Sequence, residues 1–158
     1  MLAASHDRGA FLCGVDALDS YFRDQATQDM RRRASACYVA VEEGSEKIAG
    51  YYTLAAAGVP LIDLPSAMVK HLPRYPSVPV ARLGRLAVDQ SFHGQKLGAA
   101  LLANAVMRAV RSEVAVFALA VDAKDDAAKS FYLHHGFVAL CSGQRQLVLP
   151  LAGFMPNI

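Results

Sequence analysis

The chain has 158 residues, 54% of them hydrophobic and 19% charged, with a formal net charge of +2. That balance excludes a disordered chain, and the length suits one domain whose core needs no metal or disulfide. No apolar run reaches the roughly 20 residues of a helical membrane span, which sets aside a membrane role.

The opening "MLAASHDRGAFLCGVD" lacks the apolar core of a secretion signal, so a cytoplasmic protein is expected. Cys13, Cys37 and Cys141 are odd in number and show no ligand-pair spacing. They read as reduced packing residues, and no metal is expected.

From Val15 to about Met30 the apolar residues Leu18, Phe22 and Met30 recur at near-helical spacing, which predicts one amphipathic helix. Arg31 to Arg33 end it, favourably placed for the helix dipole. "CYVAVEE" and "KIAGYYTLAA" predict two strands joined at Gly44–Ser45, a hairpin signal. "VPLIDLPSAMVKHLPRYPSVPV" holds five prolines and predicts a loop with one short helix around Ser66 to His71.

"VARLGRLAVD" predicts a strand, and Gly98 to Val110 a helix with Leu101, Leu102, Ala105, Val106 and Ala109 along its buried side. "VAVFALAVDA" is the nearly continuous apolar run of a strand buried on both faces. "DDAAKSFYLHHGF" predicts a short helix closed by Gly136, and "FVAL" and "RQLVLPL" two last strands. Strand–helix alternation in the middle calls for a parallel pair, with antiparallel hairpins around it. The fold class is therefore mixed α/β or α+β.

Charge is unevenly spread. Between Asp63 and Glu113 the only acid is Asp89, while Lys70, Arg74, Arg82, Arg85, Lys96, Arg108 and Arg111 fall in the same interval. A segment of one sign suggests a polyanionic partner, although solvated helix faces would look similar. The small-residue turn from His93 to Ala99, between a strand and a helix, has the make-up of a phosphate cradle. No aromatic stacking platform for nucleic acid is legible.

Two stretches carry a resemblance to the GNAT acetyltransferases. Leu86, Ala87 and Val88 followed by His93, Gly94, Gln95, Lys96, Leu97 and Gly98 resemble that family's strand and its Q/R-x-x-G-x-G/A turn. Asp125, Ala128, Phe131, Tyr132, Gly136 and Phe137 resemble its N-x-x-A-x-x-F-Y-x-x-x-G-F motif. His93, Lys96 and Asp125 depart from the pattern, and Lys96 replaces a glycine that would let backbone N–H groups reach phosphate closely.

The resemblance implies a GNAT fold over residues 1–158: a central mixed sheet with helices on both faces, and a splayed parallel strand pair holding acetyl-CoA. It implies that the strand backbone at Leu86 and Val88 pairs with pantetheine, and that the pyrophosphate lies on the turn from His93 to Ala99. Asp125 is included in the donor site.

Longer stretches, "LPRYPSVPVARLGRLAVD" above all, resemble the GNAT toxins of bacterial toxin–antitoxin pairs. That narrower resemblance implies aminoacyl-tRNA as acceptor, a ribbon-helix-helix antitoxin through which alone DNA is bound, and a homodimer.

Acetyl transfer needs a held thioester, a neutral amine and a proton for the leaving thiolate. Tyr132 is the expected proton donor, since a phenol stays protonated at neutral pH. His134 and His135 read as surface or capping residues, and no general base stands out. Arg74, Arg82 and Arg85 are the candidate tRNA phosphate contacts. Two other readings stand beside this one: a GNAT enzyme for a small amine or protein N-terminus, and a non-catalytic module binding CoA or a partner.

Overall fold

A computed structural model describes residues 1–156. Five helices are present among them: α1 (Asp16–Asp24), α2 (Ala26–Arg31), α3 (Ser66–Val69), α4 (Leu97–Val110) and α5 (Asp126–His134). The strands are β1 (Ala36–Val41), β2 (Ile48–Pro60), β3 (Ser77–Val88), β4 (Ala118–Asp122), β5 (Val138–Leu140) and β6 (Gly143–Pro150). They form a six-stranded mixed sheet in the order β1-β2-β3-β4-β6-β5. β3 and β4 are the parallel pair, in register from Val80/Ala118 to Leu83/Val121, and the β1–β2, β4–β6 and β5–β6 pairs are antiparallel. The fold is thus the mixed α/β class that the sequence predicts.

Four elements differ from the sequence reading, one of them β4, which starts at Ala118 and leaves Val114 to Phe117 outside the strand with Val114 exposed. The first helix is broken at Gln25, whose φ of −120° leaves the helical region, so α1 and α2 are separate. β2 runs on through Pro60, where a strand end tolerates a residue without an N–H. β3 begins at Ser77, inside the proline-rich stretch.

The chain divides into two compact units. The first comprises Met1–Ala55 and Gly84–Ala105, the second Ala56–Leu83 and Val106 onward. In the first, α1 lays Phe22 flat on Tyr51 of β2, with ring centroids 4.2 Å apart and planes 7° apart. Phe11 packs edge-on to both rings. The Tyr51 hydroxyl donates to the Leu18 carbonyl at 2.7 Å, so the buried phenol has a partner.

At Gly50 of the same strand, an added Cβ would lie 2.8 Å from Leu101 Cδ1 and 2.9 Å from the Ala87 carbonyl oxygen. The missing side chain lets α4 seat closely on β2.

In the second unit Val59, Leu64, Val78, Val80, Ala118, Ala120 and Val148 form a core, covered by Met68, Val69 and Leu72 from α3 and its end. Residues 118–121 of β4 are all buried, as a strand covered on both faces requires. A surface charge contact joins α5 to β6, Arg145 Nη2 lying 3.1 Å from Asp126 Oδ1.

Candidate functional site

In the first unit the end of β3 delivers the chain into the turn that opens α4. Asp89 holds that junction. Its backbone N–H donates to the Ala49 carbonyl at 2.8 Å, and its carboxylate accepts from the N–H groups of Leu12 at 3.0 Å and Ser91 at 2.9 Å. Lys47 Nζ approaches to 3.7 Å. Burial alone would push this carboxyl up, but the two amide donors and the Lys47 charge outweigh it and hold it below the usual carboxylate range.

The turn itself follows a 3-10 turn at Gln90–Phe92. Gly94 has φ +79° and Lys96 φ +60°, both in the left-handed region. The family pattern's glycine at the Lys96 position thus has a conformational reason, and Lys96 keeps the conformation at a steric cost. The space above Gly94 is open, with nothing within 4 Å of an added Cβ. Gly94, Gln95 and Lys96 are exposed, while Leu97, Gly98 and Ala99 are half-buried as α4 begins. The Ala100 N–H donates to the Lys96 carbonyl at 3.2 Å, which opens the helix ladder. The amides just before it are the orphan donors of a helix start, with a lysine charge beside them. That arrangement suits a pyrophosphate.

His93 does something the sequence did not announce. Its Nε2 donates to the Val88 carbonyl at 2.7 Å. It therefore occupies a backbone acceptor that the resemblance assigns to pantetheine. Ala87 is buried in the first unit's core, with Leu86 half-buried beside it.

Arg85, on the same strand end, stacks on the ring of Tyr21, its guanidinium carbon 3.4 Å from the ring centroid. Tyr21 is itself pinned, its hydroxyl donating to Asp29 Oδ2 at 2.8 Å. No sequence signal pointed to Tyr21, because its role depends on a contact between distant segments.

In the second unit α5 carries the other motif. Asp125 is its N-cap, the carboxylate accepting from the Ala128 N–H at 2.8 Å. That bond, with Lys124 nearby, holds the carboxyl below its usual range. The family asparagine's position is here filled by a capping aspartate, and the cap fully accounts for its local geometry.

Tyr132 lies in the last turn of α5, 8% exposed, with Phe131 and Phe137 edge-on at 5.1 and 5.2 Å. Its hydroxyl has no hydrogen-bond partner among the described residues. Burial pushes the phenol up to about 12. The hydroxyl is therefore protonated at neutral pH, as a donor to a thiolate must be.

Gly136, at φ +94°, closes the helix. His135 Nδ1 donates to the Phe131 carbonyl at 2.8 Å, a capping role, and His134 is exposed. Neither imidazole is set up as a base toward Tyr132.

The three arginines are in different states. Arg82 Nη1 lies 3.6 Å from Asp122 Oδ2, both half-exposed. The pair lines a cleft of roughly 110 Å³ with Val59, Asp63, Ala120 and Gln146. Arg74 is exposed and has no ion-pair partner among the described residues. Arg85 is held by Tyr21 as above.

Known proteins match this chain over most of its length. The model of the acetyltransferase (GNAT) family matches residues 7–137. A tRNA-acetylating toxin of Mycobacterium tuberculosis is 33% identical over 138 residues, which cover 86% of this chain and 81% of the toxin. Of solved structures, AtaT complexed with acetyl-methionyl-tRNAfMet matches with TM-score 0.90 at 29% identity, covering 96% of this chain and 92% of that one. A mutant AtaT toxin bound to the C-terminus of the antitoxin AtaR and acetyl-CoA matches with TM-score 0.79 at 26% identity, covering 95% and 89%.

Proposed function

The chain belongs to the GNAT acetyltransferase family, and from that premise we propose that it is a toxin that acetylates the α-amino group of aminoacyl-tRNA and so blocks translation. The observation that carries this reading is the reach of the likeness. Similarity to a tRNA-acetylating relative extends over most of both chains instead of stopping at the donor motifs. The family match also runs through residues of both compact units, so we take residues 1–158 as one catalytic domain.

Acetyl-CoA supplies the activated acetyl thioester. The chain's part begins with the backbone of Leu86, Ala87 and Val88, which would pair with the pantetheine arm, the Val88 carbonyl offering it the lone pair that His93 leaves open. The turn from His93 to Ala99 would take the pyrophosphate on its free amides, with the Lys96 ammonium adding charge where a glycine would add only access. The open space above Gly94 leaves room for it. Asp125 would act on the donor side only indirectly, by fixing the start of α5.

Tyr132 would donate to the departing thiolate. The amine of an aminoacyl ester is less basic than that of a free amino acid, so water suffices to deprotonate it. Arg74, Arg82 and Arg85 would contact the tRNA backbone.

The remaining assignments follow from the same reading: a cytoplasmic site of action, a homodimer, and neutralisation by a ribbon-helix-helix antitoxin through which alone the pair would bind DNA. Expression of the chain should arrest bacterial growth, and Tyr132→Phe should relieve the arrest. Harmless expression together with transfer to free amines would replace this reading with a small-molecule acetyltransferase.

A further inference from the structure

The segment between β2 and β3 holds an aromatic side chain that neither the core nor the donor chemistry uses. Tyr75 is 67% exposed. It sits in a stiff frame: its N–H donates to the Pro73 carbonyl at 2.9 Å, and the next residue, Pro76, accepts from the Leu61 N–H at 3.1 Å, tying the loop to the end of β2. Two prolines and these two bonds restrict the backbone on which the ring stands.

Along the chain on either side of it, from Leu64 through Val88, the charge has one sign. Lys70, His71 and Arg74 are all exposed, and no acid occurs from Leu64 through Val88. Lys70 and Arg74 have no ion-pair partner among the described residues.

An exposed ring on a rigid loop, flanked by unneutralised cations, is the combination that binds single-stranded nucleic acid. The ring stacks a base, and the cations take its phosphates. The proposed acceptor presents its amine at the end of an unpaired 3′ strand. We propose that Tyr75 is a stacking platform for a base of that 3′ end, with Arg74 and Lys70 holding the adjoining phosphates. The proposal rests on the aminoacyl-tRNA reading. The restrained backbone favours it further, because less of the loop's freedom is lost when a base settles on the ring.

The chain contains no tryptophan, so Tyr75→Trp places a single indole at the platform. The probes are uncharged tRNA and the same tRNA trimmed of its unpaired 3′ end, with binding followed independently by anisotropy of labelled RNA. Whole tRNA should quench the indole over the range in which anisotropy rises, and trimmed tRNA should not.

In acetyl transfer, Tyr75→Ala should raise KM for charged tRNA by roughly ten- to a hundredfold, leaving kcat and the acetyl-CoA KM unchanged. Tyr75→Phe should stay near wild type. Two results would overturn the proposal while leaving the acceptor reading intact. One is RNA that binds by anisotropy without altering the indole. The other is Tyr75→Ala acetylating charged tRNA with unchanged KM. An indole shift that follows protein concentration with no RNA present would assign the ring to a second copy of the chain, and also overturn it. A wild-type chain that neither binds nor acetylates charged tRNA would remove the acceptor reading itself, and this proposal with it.

Discussion

The Arg85 guanidinium stacks on Tyr21 at 3.4 Å from the ring centroid, and no carboxylate lies in ion-pair range of it among the described residues. The ring fixes the cation without cancelling its charge. Arg82 differs, since Asp122 Oδ2 lies 3.6 Å from its guanidinium. Cation–π contacts are worth about 0.5–2 kcal/mol, enough to select one orientation of a flexible side chain.

Arg85→Ala should therefore weaken tRNA binding and lower the slope of log affinity against log salt by about 1. Acetyl-CoA binding should hold. Arg82→Ala should change the slope less. Equal slopes for wild type and Arg85→Ala would mean that Arg85 touches no phosphate.

Lys96 combines a strained backbone with a useful charge, and one substitution separates the two. Lys96→Gly should raise stability by up to about 1 kcal/mol by relieving the left-handed conformation. It should also weaken acetyl-CoA binding and make that binding less sensitive to salt. Thermal melts and calorimetry at two salt concentrations read both effects. Tighter binding in the glycine variant would show that backbone access, not charge, limits the cradle.

Asp89 fixes the entry to the same turn. Asp89→Ala strands the Leu12 and Ser91 N–H groups and should cost about 2–4 kcal/mol, with acetyl-CoA affinity falling as the turn loosens. Denaturant melts of the variant, with and without acetyl-CoA, measure both. Because the folded carboxyl titrates below its ordinary 3.8, its contribution is complete above that value and lost as pH falls through the lower folded one.

The alkaline side has the opposite sign. Burial pushes the phenols of Tyr21 and Tyr132 up to about 12, and the thiols of Cys13 and Cys37 up to about 11 and about 12. Each binds its proton more tightly in the folded chain. Stability is therefore complete below the ordinary values of 9.0 for thiols and 10.0 for phenols, and declines as pH rises toward the folded ones. Denaturant midpoints should fall steadily above about pH 9. A flat profile there would mean that these groups are wetter than the structure places them.

Much of this was legible in the chain itself, because the deciding signals are local. The turn from His93 to Gly98 and the helix from Asp126 to His134 are encoded by glycine placement and apolar spacing over short stretches. The break at Gln25 was not legible, since glutamine carries no breaker signal and the periodicity of Leu18, Phe22 and Met30 runs across it. Nor was the end of β2, where proline normally signals a loop. The grip of Tyr21 on Arg85 and the hold of Asp89 on Leu12 depend on segments far apart in sequence, and periodicity says nothing about those. The left-handed φ of Lys96 was foreshadowed only by the glycine it replaces.

The measurement that bears most directly on the central claim is acetyl transfer in vitro, from acetyl-CoA to charged tRNA, by the wild-type chain and by Tyr132→Phe. The ring's packing against Phe131 and Phe137 survives the substitution, so only the hydroxyl is tested. Charged tRNA should be acetylated, and uncharged tRNA and free amino acids should not. Transfer should fall roughly 10²–10⁴-fold in the variant, with acetyl-CoA affinity retained. Turnover in Tyr132→Phe equal to wild type, or transfer to free amines with charged tRNA untouched, would contradict it.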